Sequence, residues 1–246
     1  MNDRNTWKDT LHSLILAVLL AFGVRTAVAE PFHVPSPSME PTLLIGDFLA
    51  ASKFPYGYSR YSLPADVPLF KGRILGHPAE RGDIVVFRLP RDPEQTYVKR
   101  LIGLPGDTVQ VTGGILRING APVALERIDD FEEAGQQGFV RRIPQYLETL
   151  PNGVRHRILQ DSRLTATDDT PTFRVPEGHY FMMGDNRSNS LDSRVPASAG
   201  GVGYVPSENL IGRADLRHFS VDFNTRLDTP SDWLKALRLN RIGLIG

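Results

Sequence analysis

Nineteen prolines and 22 glycines are scattered through the chain without a period, so the backbone must turn often. Such punctuation leaves room only for short elements and rules out collagen or a bundle of long helices. The runs between turn residues are β-like. Ile84 to Phe87 lies between Gly82 and Pro90, and Tyr97 to Ile102 ends at Gly103. Val109 to Val111 and Ile115 to Ile118 flank Gly113-Gly114, while Tyr146 to Leu150 and Val154 to Leu159 flank Pro151-Asn152-Gly153, both hairpin patterns. Phe173 to Val175 and Tyr180 to Met183 add two more runs, and 53–80, rich in Tyr, Pro and Gly, reads as a long loop. The expectation is an antiparallel, mainly β protein. No repeat with a period of roughly 20 to 50 residues appears.

The exception is the N-terminus. Thr10 to Val24 carries no formal charge and, apart from Thr10, His12 and Ser13, is built from Leu, Ile, Val, Ala, Phe and Gly. It is shorter than the roughly 20 residues a spanning helix needs. Snorkelling of Arg25 lets the span extend to Ala29, and Arg4 and Lys8 before it place the N-terminus in the cytoplasm. A rival reading is a cleavable leader, since Ala27-Val28-Ala29 is an A-x-A site; a buried helix is the third. At the other end, Ser231-Asp232 caps an expected short helix carrying Trp233, Leu234, Leu237 and Leu239, which packs on the body or lies on an anionic membrane surface.

Composition removes several classes of function. With 28 basic against 28 acidic side chains, no basic excess exists to neutralise nucleic-acid phosphates. The absence of cysteine excludes disulfides, thiolate metal sites and a cysteine nucleophile. The six histidines show no metal-ligand spacing, so no metal or cofactor is expected.

Three polar stretches stand out. Pro35-Ser36-Pro37-Ser38-Met39-Glu40-Pro41 places two serines on a stiff backbone suited to a nucleophile, or is simply a proline-rich linker. In Tyr97-Val98-Lys99-Arg100-Leu101, alternation puts Lys99 on one face with Tyr97 and Leu101. Burial there lowers the lysine pKa and makes it a general base; a solvated or salt-bridged lysine is the plainer reading. Gly184 to Arg194 is polar throughout except Leu191 and offers Asp185, Arg187, Asp192 and Arg194 for ion pairs, or is a solvated loop.

Taken in order, these stretches resemble bacterial type I signal peptidases, the serine/lysine leader peptidases of the cytoplasmic membrane. The matching residues are Pro35-Ser36-x-Ser38-Met39-x-Pro41-Thr42-Leu43, Arg81-Gly82-Asp83-Ile84-Val85-Val86-Phe87, Tyr97-Val98-Lys99-Arg100 with Gly103-x-Pro105-Gly106-Asp107, and Gly184-Asp185-Asn186-Arg187 with Ser190-x-Asp192-Ser193-Arg194. Gly203 to Pro206 and Asn209 to Ala214 continue it.

The resemblance implies that Ser38 is the nucleophile, Lys99 the general base, and the Ser36 hydroxyl and Ser38 N–H the oxyanion donors. It makes Ser190 the residue that orients the lysine, supported by Asp192, Arg194, Asp185 and Arg100. Phe32, Val34, Val98, Met39 and Tyr97 then line pockets for small side chains of an Ala-x-Ala preprotein segment. The implied partners are signal peptides, membrane lipid and the secretion translocon, with the catalytic face outside the cytoplasmic membrane. The chain divides into a cytoplasmic N-terminus (1–9), a transmembrane anchor (10–29), a catalytic β core (30–107 and 176–222), a β-rich insert (108–175) and a tail with a short helix (223–246). Two positions depart from the family pattern: Pro37 replaces a small residue and removes a backbone donor, and Ser188 replaces an acid. A pilin-maturation type of serine/lysine peptidase and a membrane-anchored β-domain without catalysis are the rival functions. The Ala27-Val28-Ala29 site also raises self-cleavage before Glu30.

Overall fold

The computed structural model describes residues 3–63, 66, 70–134, 140–161, 165–223, 225 and 229–245. Parts of the expected long loop (64–65, 67–69), insert (135–139, 162–164) and tail (224, 226–228, 246), with the first two residues of the expected cytoplasmic N-terminus, lie outside them.

Helix α1 (Asp3–Ala27) begins earlier than the apolar run that suggested it. Among its described side chains Leu14, Leu16, Leu19 and Leu20 are exposed. Among the described residues no helix is long and apolar enough to cross a membrane. The span expected over 10–29 is corrected to that extent: Lys8, Asp9 and Arg25 bracket an apolar run shorter than a bilayer core.

The chain enters the body directly from α1. Strand β1 (Ala29–His33) pairs with β2 (Asp47–Ser52) in antiparallel register, Ala29 opposite Ser52. The expected loop at 53–80 holds a small hairpin, β3 (Tyr58–Ser59) with β4 (Arg73–Ile74). Then β5 (Ile84–Leu89) and β6 (Asp92–Gly103) form a long hairpin. A first satellite sheet contains β7 (Thr108–Thr112), β8 (Ile115–Ile118) and β9 (Ala121–Pro122), and a second contains β10 (Ala124–Ala134), β11 (Val140–Thr149) and β12 (Arg155–Leu159). Strand β13 (Phe173–Arg174) closes the first by pairing with β7. The chain returns through β14 (His179–Met183), β15 (Val205–Pro206) and β16 (Leu210–Ser220), runs through helix α2 (Pro230–Ala236) and ends with β17 (Gly243–Leu244).

The main sheet runs β1-β2-β16-β5-β6-β14-β15, with β17 on β16. All its strand pairs are antiparallel, as the turn-rich sequence predicts. Both faces of its centre are covered. Val85, Phe87 and Leu101 pack into one cluster, while Val86 packs into another with Val34, Met39 and Ile211. This two-sided burial explains why β5 is apolar at every position but Arg88 rather than alternating. Strand β14 pairs with β6 only at Arg100, Leu101 and Gly103, so the first half of β6 pairs with β5 alone.

Helix α2 stops at Ala236, so Leu237 and Leu239 do not continue the expected face. Leu237 is extended, and Leu239 begins a separate 3-10 turn through Arg241. Arg238 and Arg241 reach back to the buried carboxylate of Asp47, with Arg241 Nη2 donating to Asp47 Oδ2 at 2.7 Å. Trp233 and Leu234 are exposed.

Candidate active site

Residues 35–46 form a loop closed at its base by Val34 N–H donating to Asp47 O at 2.8 Å and Gly46 N–H to Val34 O at 3.1 Å. Within it Pro37–Met39 is a single 3-10 turn with Pro37 at its start. Proline is well placed there, because its fixed φ suits the turn and a first-turn N–H has no partner inside the turn. Its carbonyl still accepts from Glu40 N–H at 3.1 Å. The departure at Pro37 is thus accommodated locally.

The turn aims Ser38 at Lys99. Lys99 Nζ lies 2.5 Å from Ser38 Oγ and also donates to Val98 O at 3.1 Å. The lysine is 3% exposed and its Nζ stands 5.5 Å from the centroid of the Tyr97 ring. Burial pulls its pKa down to about 8, against the opposing charges of Asp192 and Asp185. At pH 7 a lysine with that value is neutral about one time in ten, against roughly one in 2,500 for a free side chain. Ser36 Oγ lies 3.3 Å from Ser38 Oγ.

The surrounding carboxylates are buried and paired. Burial works against the charge of Asp185, but the Arg100 fork (2.8 and 2.7 Å) and the Thr42 hydroxyl (2.5 Å) hold its carboxyl below the usual range. Burial likewise opposes Asp192. Arg194, at 2.9 and 2.8 Å, and Gly184 N–H, at 3.0 Å, outweigh it and lower that carboxyl too.

Ser190 is half-buried beside this group, with its hydroxyl oxygen shielded from solvent. Its hydroxyl helps hold Asp192 ionised, and among the described hydrogen bonds those of Lys99 go to Ser38 and Val98 rather than to Ser190. The Cα of Gly184 fills the gap: a Cβ there would fall 2.2 Å from Ser190 Oγ and 2.4 Å from Ser38 O. Ser188, where an acid was expected by family pattern, accepts Asp161 N–H at 2.9 Å.

A groove of about 710 Å³ opens over Ser38 and Lys99, and Phe32, Tyr97 and Val98 are on its wall. Val34 and Met39 are not on its wall. They are buried beneath it in the core cluster against which Phe32 and Val98 pack. Leu49, Val86, Thr96 and Leu191 are among the residues that line it instead; Leu191, the single apolar residue of its polar loop, was the visible signal.

Two residues behind the site, Glu148 and His156, escaped sequence reasoning. Glu148 on β11 accepts a fork from Arg187 at 2.7 and 2.5 Å, and His156 on β12 places Nε2 at 3.3 Å from Glu148 and 3.9 Å from Asp185. The signal was available in the Pro151-Asn152-Gly153 hairpin, whose register sets Glu148 opposite His156. Among the described residues no group of His, Asp and Glu is arranged to hold a metal.

The chain matches the family model described as "Signal peptidase, peptidase S26" over residues 7–219. Signal peptidase I of Rickettsia canadensis (strain McKiel) is 39% identical over 262 residues, covering 98% of this chain and 94% of that protein. Signal peptidase I of Rickettsia typhi (strain ATCC VR-144 / Wilmington) is 38% identical over 255 residues, covering 96% and 93%. The crystal structure of a signal peptidase I from Enterococcus faecalis V583 is 28% identical, covers 56% of this chain and 97% of that one, and has a TM-score of 0.32.

Proposed function

The chain belongs to the signal peptidase family, peptidase S26, a serine endopeptidase that removes signal peptides from preproteins, and from that premise we propose that Ser38 is its nucleophile and Lys99 its general base. The observation that carries this assignment is the 2.5 Å contact between Lys99 Nζ and Ser38 Oγ in a site dry enough to bring the lysine down to about 8. Neutral Lys99 takes the Ser38 proton as Ser38 attacks the scissile carbonyl. The ammonium then protonates the leaving amine, and a water deprotonated by the same lysine hydrolyses the acyl-enzyme. The Ser36 hydroxyl and Ser38 N–H stabilise the oxyanion, supported by the closeness of the two serines.

The substrate is an extended segment of Ala-x-Ala type. Support comes from the first half of β6, which has β5 as its neighbour on one side and faces the groove on the other, so that a peptide can add as a strand. Residues 30–107 and 176–222 make the catalytic core, and 108–175 are an insert whose strands pair with one another. The exposed apolar side chains of α1 support a lipid contact for that helix, holding the core at the outer membrane face.

Incubation of detergent-solubilised protein with a preprotein tests the assignment. Ser38→Ala and Lys99→Ala each abolish cleavage; processing that survives either one overturns it. Protease accessibility of the core in intact against opened cells tests the outward placement.

A further inference from the structure

The insert sends two ionisable side chains into the foundation of the site. Glu148 and His156 stand opposite one another on β11 and β12, and both are buried. Burial opposes ionisation of Glu148, yet Arg187 and His156 bring its carboxyl down to about 2. Glu148 is therefore charged at every working pH, and Arg187 is tied to it in a two-bond fork with little freedom to rotate.

Arg187 is the first residue of a 3-10 turn, Arg187–Asn189, inside the loop that embraces the nucleophile. One residue earlier, Asn186 N–H donates to Ser38 O at 3.1 Å and Asn186 Nδ2 to Pro37 O at 3.2 Å. Arg187 Nε donates to Gly184 O at 3.3 Å, and the Arg187 carbonyl accepts from Arg194 Nη2 at 2.7 Å, the same guanidinium that forks Asp192. Backbone contacts from β12 and beyond join the same loop: Leu159 N–H to Asp185 O at 2.9 Å and Asp161 N–H to Ser188 Oγ at 2.9 Å.

We propose that Glu148 is a positioning residue for signal-peptide cleavage, acting through Arg187 to fix the 184–190 loop against the turn that carries Ser38. The proposal rests on the assignment of Ser38 as nucleophile. It gives the insert a part in catalysis: without its carboxylate the loop keeps its sequence but loses its buried ionic tie, and the Ser38 carbonyl loses a fixed donor. Misplacement of a nucleophile by about 1 Å is enough to lower turnover by about 100-fold.

The test uses the full-length protein in detergent. Glu148→Ala should lower kcat by about 10- to 100-fold with KM changed less than about twofold, because the groove wall is untouched. Glu148→Gln, which keeps hydrogen-bonding capacity, should retain more activity than the alanine variant. Arg187→Lys, which keeps the charge but loses the fork, should fall between wild type and Glu148→Ala, and serves if the alanine variant fails to fold. In each folded variant the pH dependence set by Lys99 should stay in place, since the charges bearing on Lys99 are Asp192, Asp185 and Arg194. Unchanged kcat in folded variants, or a fall in kcat no larger than the fall in folded fraction at the assay temperature, overturns the proposal. Activity remaining in Ser38→Ala would instead sink the assignment on which it rests.

Discussion

The Thr42 hydroxyl donates to the Asp185 carboxylate at 2.5 Å, bridging the loop that carries Ser38 to the carboxylate that Arg100 forks from the residue after Lys99. The carbonyl of Thr42 is held from the other side by Arg217 at 3.2 Å and Arg241 at 3.1 Å. Thr42 therefore braces Ser38 between the lysine strand and the C-terminal tail. Thr42→Val keeps the shape but leaves a buried carboxylate lone pair without its donor, costing about 1–3 kcal/mol. Thermal unfolding should show that loss, and steady-state kinetics should show a lower kcat at nearly constant KM.

With Lys99 as the proposed general base, its depressed pKa should set the pH dependence of cleavage. Below about 8 the fraction of neutral Lys99 falls tenfold per pH unit, so kcat/KM should climb with pH and level off above 8. The same shift acts on stability. Between about 8 and its ordinary value near 10.5, Lys99 is protonated in the unfolded chain and neutral in the folded one. Unfolding then takes up a proton, and stability contributed by this group rises with pH across that window. Lys99→Met should remove the rise; thermal melts at pH 8 and 10 that keep the wild-type difference would refute it.

Two substitutions should move the kinetic limb in opposite directions. Asp192 raises the lysine pKa and Arg194 lowers it, so Asp192→Asn should shift the limb to lower pH and Arg194→Gln to higher pH. These shifts distinguish Lys99 from Glu40, which burial and the charge of Glu133 push up to about 7. Each substitution also leaves a buried charge without its partner, at a cost of about 3–5 kcal/mol, so the profiles should be recorded well below the melting temperature.

Gly184 is a steric requirement rather than a flexible hinge. A methyl group there collides with the Ser38 carbonyl and the Ser190 hydroxyl, both packed in the site, so Gly184→Ala should inactivate the enzyme while changing no charge. Full activity in that variant would show that the loop can retreat without disturbing Ser38.

The β5–β6 hairpin was legible because Gly82, Pro90 and Gly103 punctuate two β-like runs, Ile84 to Phe87 and Tyr97 to Ile102. Strand β10 was not: Glu126, Asp129, Asp130, Glu132 and Glu133 hide its pairing partners, which include Arg142, 3.1 Å from Glu132 across the ladder. Strand β16 was seen only as a motif, because its place beside β2 depends on Gly212, whose Cα passes too close to Ser52 O for any side chain. Ser38 and Lys99 stand 61 residues apart, so their contact was accessible through resemblance and not through spacing. Val34 and Met39 were assigned to the groove because motif position says nothing of which side of a loop faces the core.

The Ala27-Val28-Ala29 sequence looks like a substrate, yet the fold withholds it. Ala29 is paired with Ser52 in the β1–β2 ladder, and Val28 O accepts Lys53 N–H at 2.9 Å. Glu30 is clamped between Arg25 at 3.1 Å and the buried ammonium of Lys53 at 3.0 Å. Cleavage requires an extended segment free to add its own backbone to the catalytic groove, whereas this backbone is already spent on β2. Breaking the bond before Glu30 would require β1 to detach first. The purified protein should therefore keep its N-terminus at Met1, or at Asn2 after methionine removal, with Edman sequencing as the check. Glu30→Ala together with Lys53→Met should loosen the clamp and expose the bond, so that a new N-terminus at residue 30 accumulates only while Ser38 is intact. Processing before Glu30 in the unmodified chain would show that the β1–β2 ladder does not protect it.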